Sequence, residues 1–201
     1  FDVLLQKENV QKYLALKSLN NELKNEINEL SQIIFSIDLP KINLSLKIKD
    51  IFDMSKITNK SYFTKEFINK NKGNIPVYSA SKDPNFVNYG YVKDNLPKIK
   101  YFKNCLTWNI DGSVGKAFYR KDRFSLSEKV IPLILQNKWK NLIDEIYVKY
   151  ILEKKAIEMG FEFSNKAGKS RIADIEIEIP IKKVNGQLIP DIEKQKNLAD
   201  E

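Results

Sequence analysis

The chain has 201 residues, and its 34 Lys and Arg against 26 Asp and Glu give a formal net charge of +8. It contains no histidine and a single cysteine, which excludes histidine-based triads, imidazole metal sites and a disulfide framework. The length suffices for one good core with an extended element to spare. No apolar stretch approaches the roughly 18 residues of a membrane span, so we expect no membrane partner.

The remaining compositional signals indicate a reducing compartment. Cys105 lies in an apolar run, which predicts a small buried side chain rather than a reactive thiol. No secretory signal pattern is visible, and a single thiol fits a cytoplasmic location. Because the chain begins at Phe1 rather than Met, we also expect it to be a piece of a longer protein.

The positive charge is concentrated in the middle of the chain. Fourteen basic and five acidic residues lie between Lys56 and Ser125, a local net charge of +9, and the remainder is close to neutral. A localised positive field is typical of proteins that bind a phosphate backbone or an anionic surface. A lysine-rich surface that serves only solubility is the alternative that charge alone leaves open.

The first predicted element is a long helix over residues 4–37, within a segment 1–40 that contains no Gly and ends at Pro40. Its apolar residues recur at three- and four-residue steps, with Glu26 as the one polar interruption. The seam positions are Leu16, Leu19, Leu23, Leu30, Ile33 and Ile37. This heptad spacing predicts a coiled coil, and about 45 Å of helix at ~1.5 Å per residue exceeds the width of a small domain. An amphipathic helix packed on its own domain is the alternative.

Residues 44–181 are predicted to form one globular domain. Short β-branched and aromatic runs bounded by turn residues predict strands over 73–81, 89–92, 99–108 and 130–135. Residues 142–159 have helical spacing and end at Gly160, and 165–171 read as a basic loop. Residues 172–180 alternate apolar and acidic side chains, which indicates a strand with one buried face. Strands first and a helix later favour an α+β domain.

Residues 189–201 are predicted to begin a second helix. Pro190 can lead into a first turn, and Asp191 and Glu193 suit the positive end of a helix dipole. Such a helix would be a natural partner for the first one.

The most informative segment is the turn that follows Asn109. Gly112 and Gly115 allow a tight turn and a close backbone approach. Four cations follow within a few residues: Lys116, Arg120, Lys121 and Arg123. A loop that combines backbone amides, Asn, Asp, Ser and four cations suits a polyanion with a defined shape, and our interpretation is DNA.

Several short motifs then occur in a fixed order between helices. They are Gly-x-x-Pro-x-Tyr-x-x-Ser (73–81), Gly-Tyr-Val (90–92), Asp-Gly-Ser-x-Gly-x-x-Phe-Tyr-Arg (111–120), Asn-Lys-Ala-Gly (165–168), Ile-x-Ile-Pro (177–180) and a Glu-Lys-Gln-Lys helix start (193–196). Each alone is weak, but the ordered set resembles the target recognition domains of type I restriction–modification specificity subunits. The fused specificity regions of single-chain type IIG restriction–methylation enzymes are similar.

The resemblance implies a globular recognition domain on DNA, flanked by long spacer helices that form an antiparallel coiled coil. It implies partner methyltransferase and restriction subunits or domains, with S-adenosylmethionine held by the methyltransferase and no cofactor of this chain's own. The parent could be a two-domain specificity subunit, a half-subunit that forms a homodimer through the long helix, or a fused enzyme.

Candidate DNA-binding residues follow from side-chain chemistry. Cations suited to phosphate are Lys70, Lys72, Lys82, Lys116, Arg120, Lys121, Arg123, Lys166, Lys169 and Arg171. Polar or aromatic side chains at predicted strand ends, which suit base edges, are Tyr78, Ser79, Ser81, Asn109, Asp111 and Ser113. Arginine can also contact guanine.

Structural roles compete with these assignments. Asp111 and Ser113 can satisfy turn amides, and Asn165 can cap a helix. Four aromatic side chains are as well suited to a core: Tyr78, Trp108, Phe118 and Tyr119.

Two other functional classes are compatible with a chain of this length, an enzyme and an interaction scaffold. For an enzyme, the sequence offers no methyltransferase motif, cofactor-binding Gly-x-Gly-x-x-Gly loop or nuclease constellation. We therefore expect a specificity module without catalytic residues of its own. The remaining alternative is a protein-interaction scaffold whose long helix carries the function and whose basic surface is incidental.

Overall fold

The computed structural model describes residues 3–35, 43–56 and 62–201. It divides into two compact units, Phe1–Lys41 and Ile42–Glu201. Among the described residues, no helix is both long and apolar enough to cross a bilayer.

The first unit contains one helix, α1 (Val3–Phe35), of 33 residues. The predicted long helix is thus confirmed, because a stretch without Gly or Pro keeps its backbone hydrogen bonds unbroken. Three seam positions are exposed on it: Leu16, Leu19 and Leu23. Other seam positions lie outside the described residues, namely the side chains of Leu30 and Ile33 and all of Ile37. The coiled coil itself stays a prediction.

The second unit contains short helices and one longer helix. They are α2 (Ile48–Ile51), α3 (Lys65–Lys70), α4 (Glu145–Glu158), α5 (Lys169–Ala173) and α6 (Ile192–Asp200), with a 3-10 turn at Asn137–Trp139. Asp144 caps α4 by accepting from the Tyr147 amide at 2.8 Å. Gly160, with φ +62°, follows the helix end, as the sequence predicts.

The strands of this unit form three sheets. They are β1 (Asn43–Lys47), β2 (Phe52–Asp53), β3 (Lys72–Tyr78), β4 (Tyr91–Val92), β5 (Cys105–Asn109), β6 (Ala117–Arg120), β7 (Ser125–Leu126), β8 (Val130–Leu135), β9 (Glu176–Val184) and β10 (Gln187–Pro190). A four-stranded sheet has the order β2-β8-β5-β6, and two three-stranded sheets have the orders β1-β9-β10 and β4-β3-β7. The β3–β7 pair is parallel. Mixed α and β structure is therefore confirmed.

The main core lies between α4, the four-stranded sheet and β9. Trp108 of β5 is fully buried, and the inner face of α4 contributes Val148 and Leu152. On β9, Ile177 and Ile179 are buried while Glu178 is exposed, which confirms the predicted alternation. Cys105 is buried, and burial raises the pKa of its thiol to about 12, as expected of a small core side chain.

The structure corrects two predicted boundaries. The strand expected over 99–108 begins only at Cys105, because Asn104 has a positive φ that interrupts the extended backbone. The predicted basic loop 165–171 ends inside α5, so the strand expected from residue 172 begins at Glu176. A backbone that turns helical at Lys169 cannot present 169–171 as an open loop.

The predicted C-terminal helix is confirmed as α6, with Asp191 as its N-cap. Its Gln195 is buried and donates to the Leu142 carbonyl at 2.9 Å, and it accepts from the Asp144 amide at the same distance. α6 therefore packs within the second unit, against the residues that lead into α4. Its role as the start of a spacer stays a prediction.

Candidate nucleic-acid interface

The β5–β6 hairpin presents the turn that the sequence singled out. Gly112 and Gly115 have φ of +66° and +80°, and a Cβ at Gly115 would lie 2.8 Å from the Cβ of Ala156. Asp111 accepts from the Gly112 amide at 2.8 Å, so this carboxylate satisfies a turn amide, and Ser113 is half-buried in the same turn. The turn is thereby fixed against α4.

The basic segment 165–171 lies against this turn. Lys166 donates to Asp111 at 3.0 Å, and this bond holds the pKa of the Asp111 carboxyl below its ordinary value. On β5, just before the turn, the Trp108 indole donates to the Ala167 carbonyl at 3.0 Å. Two segments more than fifty residues apart in sequence therefore meet directly.

The cations of that segment have defined surroundings. The Arg171 guanidinium lies 4.5 Å from the centre of the Phe161 ring and donates to the Lys166 carbonyl at 2.9 Å. It also donates to Asn165, which in turn donates to the Gly160 carbonyl at 2.8 Å. Asn165 is thus a helix cap, the structural alternative considered for it. Lys169 is exposed on α5.

A third segment, residues 79–85, packs on the other side of the hairpin. Asn109 is buried and donates to the Ser81 carbonyl at 2.9 Å. Ser79 is also buried and accepts from the Ser127 hydroxyl at 2.8 Å. The polar atoms of these two side chains already join protein segments, and their predicted contacts with bases stay predictions. Lys82 remains exposed.

Arg120 occupies a position that the sequence did not predict. Only 9% of the residue is exposed, and its guanidinium carbon lies 3.5 Å from the centre of the half-buried Tyr78 ring. One terminal nitrogen donates to the Pro84 carbonyl at 2.8 Å. Burial lowers the pKa of this guanidinium. Arg120 is thus a recessed cation at the wall of a cleft, and its predicted contact with a base or a phosphate stays a prediction.

The chain beyond β6 brings in a loop that sequence reasoning missed. Arg123 pairs with Asp94 at 2.7 Å and lies 4.9 Å from the centre of the Tyr101 ring. The Asn104 amide donates to the Lys121 carbonyl at 3.2 Å. Residues 93–104 therefore adjoin the predicted cations and add four exposed lysines: Lys93, Lys98, Lys100 and Lys103. The local charge of the sequence included them, but charge counts carry no information about placement.

The remaining candidate cations differ in how far they are neutralised. Lys70 pairs with Glu66 at 2.6 Å, and Lys116 lies 3.8 Å from Glu153. Lys72 is exposed at the start of β3. The described residues give no carboxylate partner within 4.0 Å to Lys82 or Lys121. They also show no group of three or more Cys, Asp or Glu placed to hold a metal ion.

Comparison with known proteins shows what the chain is similar to. Residues 40–197 match the family described as the type I restriction modification DNA specificity domain. The chain is 26% identical over 158 residues to the type I restriction enzyme MpnII specificity subunit of Mycoplasma pneumoniae, covering 79% of this chain and 43% of that subunit.

Solved structures share the fold. The S subunit of a type I restriction-modification system from M. genitalium is 17% identical, and the HsdS subunit from Thermoanaerobacter tengcongensis is 12% identical, each with a TM-score of 0.57. Both comparisons cover 96% of this chain, but 49% and 46% of those chains. The chain thus spans about half the length of these relatives.

Proposed function

Because the chain belongs to the family of type I restriction modification DNA specificity domains, as its motifs predicted, we propose that its second unit is a target recognition domain for double-stranded DNA. The observation that supports this best is the series of contacts that joins the basic segment 165–171 to two other segments that bear candidate DNA-binding residues. Residues 165–171 contact the 109–115 turn through Lys166, and that turn contacts 79–85 through Asn109. Convergence of cations from separate segments suits a phosphate backbone.

The relatives' names support a role within a larger restriction–modification assembly. One solved relative is described in terms of complex assembly and conformational transition of a type I restriction–modification system. We propose that methyltransferase and restriction subunits or domains supply the chemistry, and that this chain only positions them on DNA. Transfer of a methyl group from S-adenosylmethionine to DNA by the purified protein alone would contradict this division of roles.

The DNA-binding proposal predicts salt-dependent affinity for arbitrary duplexes. Lys82→Gln and Lys169→Gln should weaken binding to all duplexes alike, because both side chains are exposed cations beside the contacts described above. Each should reduce the slope of log K against log salt by about 0.9 if it removes one phosphate contact. Fluorescence anisotropy across a salt series measures both quantities.

The matched control is Lys183→Gln, an exposed lysine on β9 away from these segments in sequence. It should leave affinity and slope unchanged. If the wild-type protein shows no salt-dependent binding to duplex DNA, the recognition proposal is wrong. The scaffold interpretation, in which only the long helix functions, would then be favoured.

We further propose that α1 is a spacer helix that pairs with another helix, in a homodimer or within a longer parent. Leu16→Asp with Leu23→Asp should abolish helix pairing, because charges would then be buried in an apolar seam. Asn20→Asp with Asn21→Asp adds the same charge at positions outside the seam and should leave pairing intact. Analytical ultracentrifugation measures association, and circular dichroism measures folding. If the leucine pair unfolds the second unit instead, α1 belongs to that core.

A further inference from the structure

A cleft of about 180 Å³ opens beside the end of β6. The lining residues that bear on its chemistry are Tyr78, Pro84, Arg120, Lys121, Asp122 and Arg123. Arg120 forms part of its inner wall, while Lys121 and Arg123 are exposed at its rim. Three cations and one carboxylate line the cleft, and Asp94 pairs with Arg123 at 2.7 Å, so the local excess is one positive charge.

The buried arginine in this cleft has no counter-ion among the residues that the structure describes. Among the described residues, no Asp or Glu oxygen lies within 4.0 Å of an Arg120 nitrogen, and Asp122 at the rim is exposed. The Nε atom of Arg120 is buried and has no hydrogen-bond partner there. Removing a cation from water without pairing it is energetically unfavourable. The Tyr78 ring and the Pro84 carbonyl offset part of that cost, since a cation over an aromatic face is attracted to the ring electrons.

The same two contacts also fix the guanidinium in place. The ring covers one face, and the bond to Pro84 holds one terminal nitrogen, so little side-chain entropy is left to lose when a ligand arrives. A rigid, partly dehydrated cation at the wall of an open cleft is complementary to an anion from outside. A phosphate fits better than a base edge, because the excess positive charge of Arg120 and Lys121 stabilises an anion more than a neutral base.

We propose that this cleft binds one phosphate group of the DNA backbone, with Arg120 as the recessed anchor and Lys121 and Arg123 at the rim. This inference rests on the proposed DNA recognition function. It assigns Arg120 to phosphate binding and removes it from the candidates for base reading. It also gives the Arg120–Tyr78 stack a function beyond packing.

The test compares Arg120→Met, Arg120→Lys and Lys121→Gln with wild type and with the Lys183→Gln control. Each protein is titrated with an alternating A·T duplex and an alternating G·C duplex across a salt series. Arg120→Met should lower affinity equally on both duplexes and reduce the salt slope by about 0.9, the value for one lost phosphate. Arg120→Lys should keep much of the slope, because the charge remains.

Three outcomes would overturn the proposal. A folded Arg120→Met protein with unchanged slope makes Arg120 purely structural, and a loss confined to the G·C duplex makes it a guanine contact. Should Arg120→Met not fold by thermal unfolding, Lys121→Gln decides, since its side chain is exposed; an unchanged slope then rejects the cleft. Wild-type protein that binds neither duplex contradicts the recognition function itself, which separates the two failures.

Discussion

Replacing Trp108 by alanine is expected to lower the free energy of unfolding by about 3–5 kcal/mol, the usual cost of deleting a large buried aromatic side chain. Trp108 is fully buried in β5, a central strand of the four-stranded sheet. The substitution would also remove the indole hydrogen bond to the Ala167 carbonyl, leaving a buried acceptor unpaired. Urea unfolding followed by circular dichroism measures the change.

The second tryptophan provides a matched control. Trp139 also donates its indole nitrogen to a backbone carbonyl, that of Asp50 at 2.6 Å, but it is only half-buried. Trp139→Ala should therefore cost less than Trp108→Ala. An equal or larger cost at Trp139 would show that burial in the four-stranded sheet is not what makes Trp108 important.

Trp108→Phe separates packing from the hydrogen bond. It keeps most of the aromatic volume but removes the donor to Ala167, which lies in the basic segment 165–171. We expect Trp108→Phe to lower the free energy of unfolding less than Trp108→Ala does. We also expect the 165–171 segment to open more often, because its hydrogen bond to the indole is lost. Hydrogen exchange at the amides of 165–171 should rise in this variant.

The local features of the fold could be predicted because short-range rules determine them. Gly112 and Gly115 between two apolar runs indicated the β5–β6 hairpin, and the structure places its turn at those residues. The alternation around Ile177 indicated a strand with one wet face, and Gly160 marked the end of α4. In each case the pattern of neighbouring residues was enough to predict the local backbone conformation.

The candidate site could be predicted only in part, because long-range contacts decide which polar groups remain free. Asn109 and Arg120 have side chains that suit DNA, but a carbonyl from another segment engages each of them. The residues near Asn109 in sequence do not predict that Ser81 is its partner, and those near Arg120 do not predict that it stacks on the Tyr78 ring. Local sequence patterns also could not predict that the basic segment 165–171 lies against the 109–115 turn.

We expect Glu145 to make the free energy of unfolding depend on pH. It lies in the first turn of α4, and its Oε1 atom is buried with no hydrogen-bond partner among the described residues. Burial, reinforced by the neighbouring Asp144 carboxylate and opposed by the Leu106 amide, raises the pKa of Glu145 from 4.5 to about 7. The folded protein therefore binds a proton that the unfolded chain has already released between these two pH values.

The sign of the effect follows from this difference in bound protons. A folded-state pKa above the unfolded value contributes stability that is complete below pH 4.5 and is lost as the pH rises through about 7. Allowing for partial solvent exposure of the carboxyl, we expect a loss of about 1–2 kcal/mol. Glu145→Gln removes the titrating group, so the variant should be more stable than wild type at pH 8 and close to it at pH 4.5.

Thermal unfolding of wild type and Glu145→Gln between pH 4.5 and pH 8 measures this effect. Glu128→Gln removes an exposed carboxylate and should follow the wild-type pH profile throughout. If Glu145→Gln is instead less stable than wild type at pH 8, the carboxylate is ionised and stabilised in the folded protein. Burial at the start of α4 would then be outweighed by the helix dipole and nearby amides, which favour a negative charge at that end.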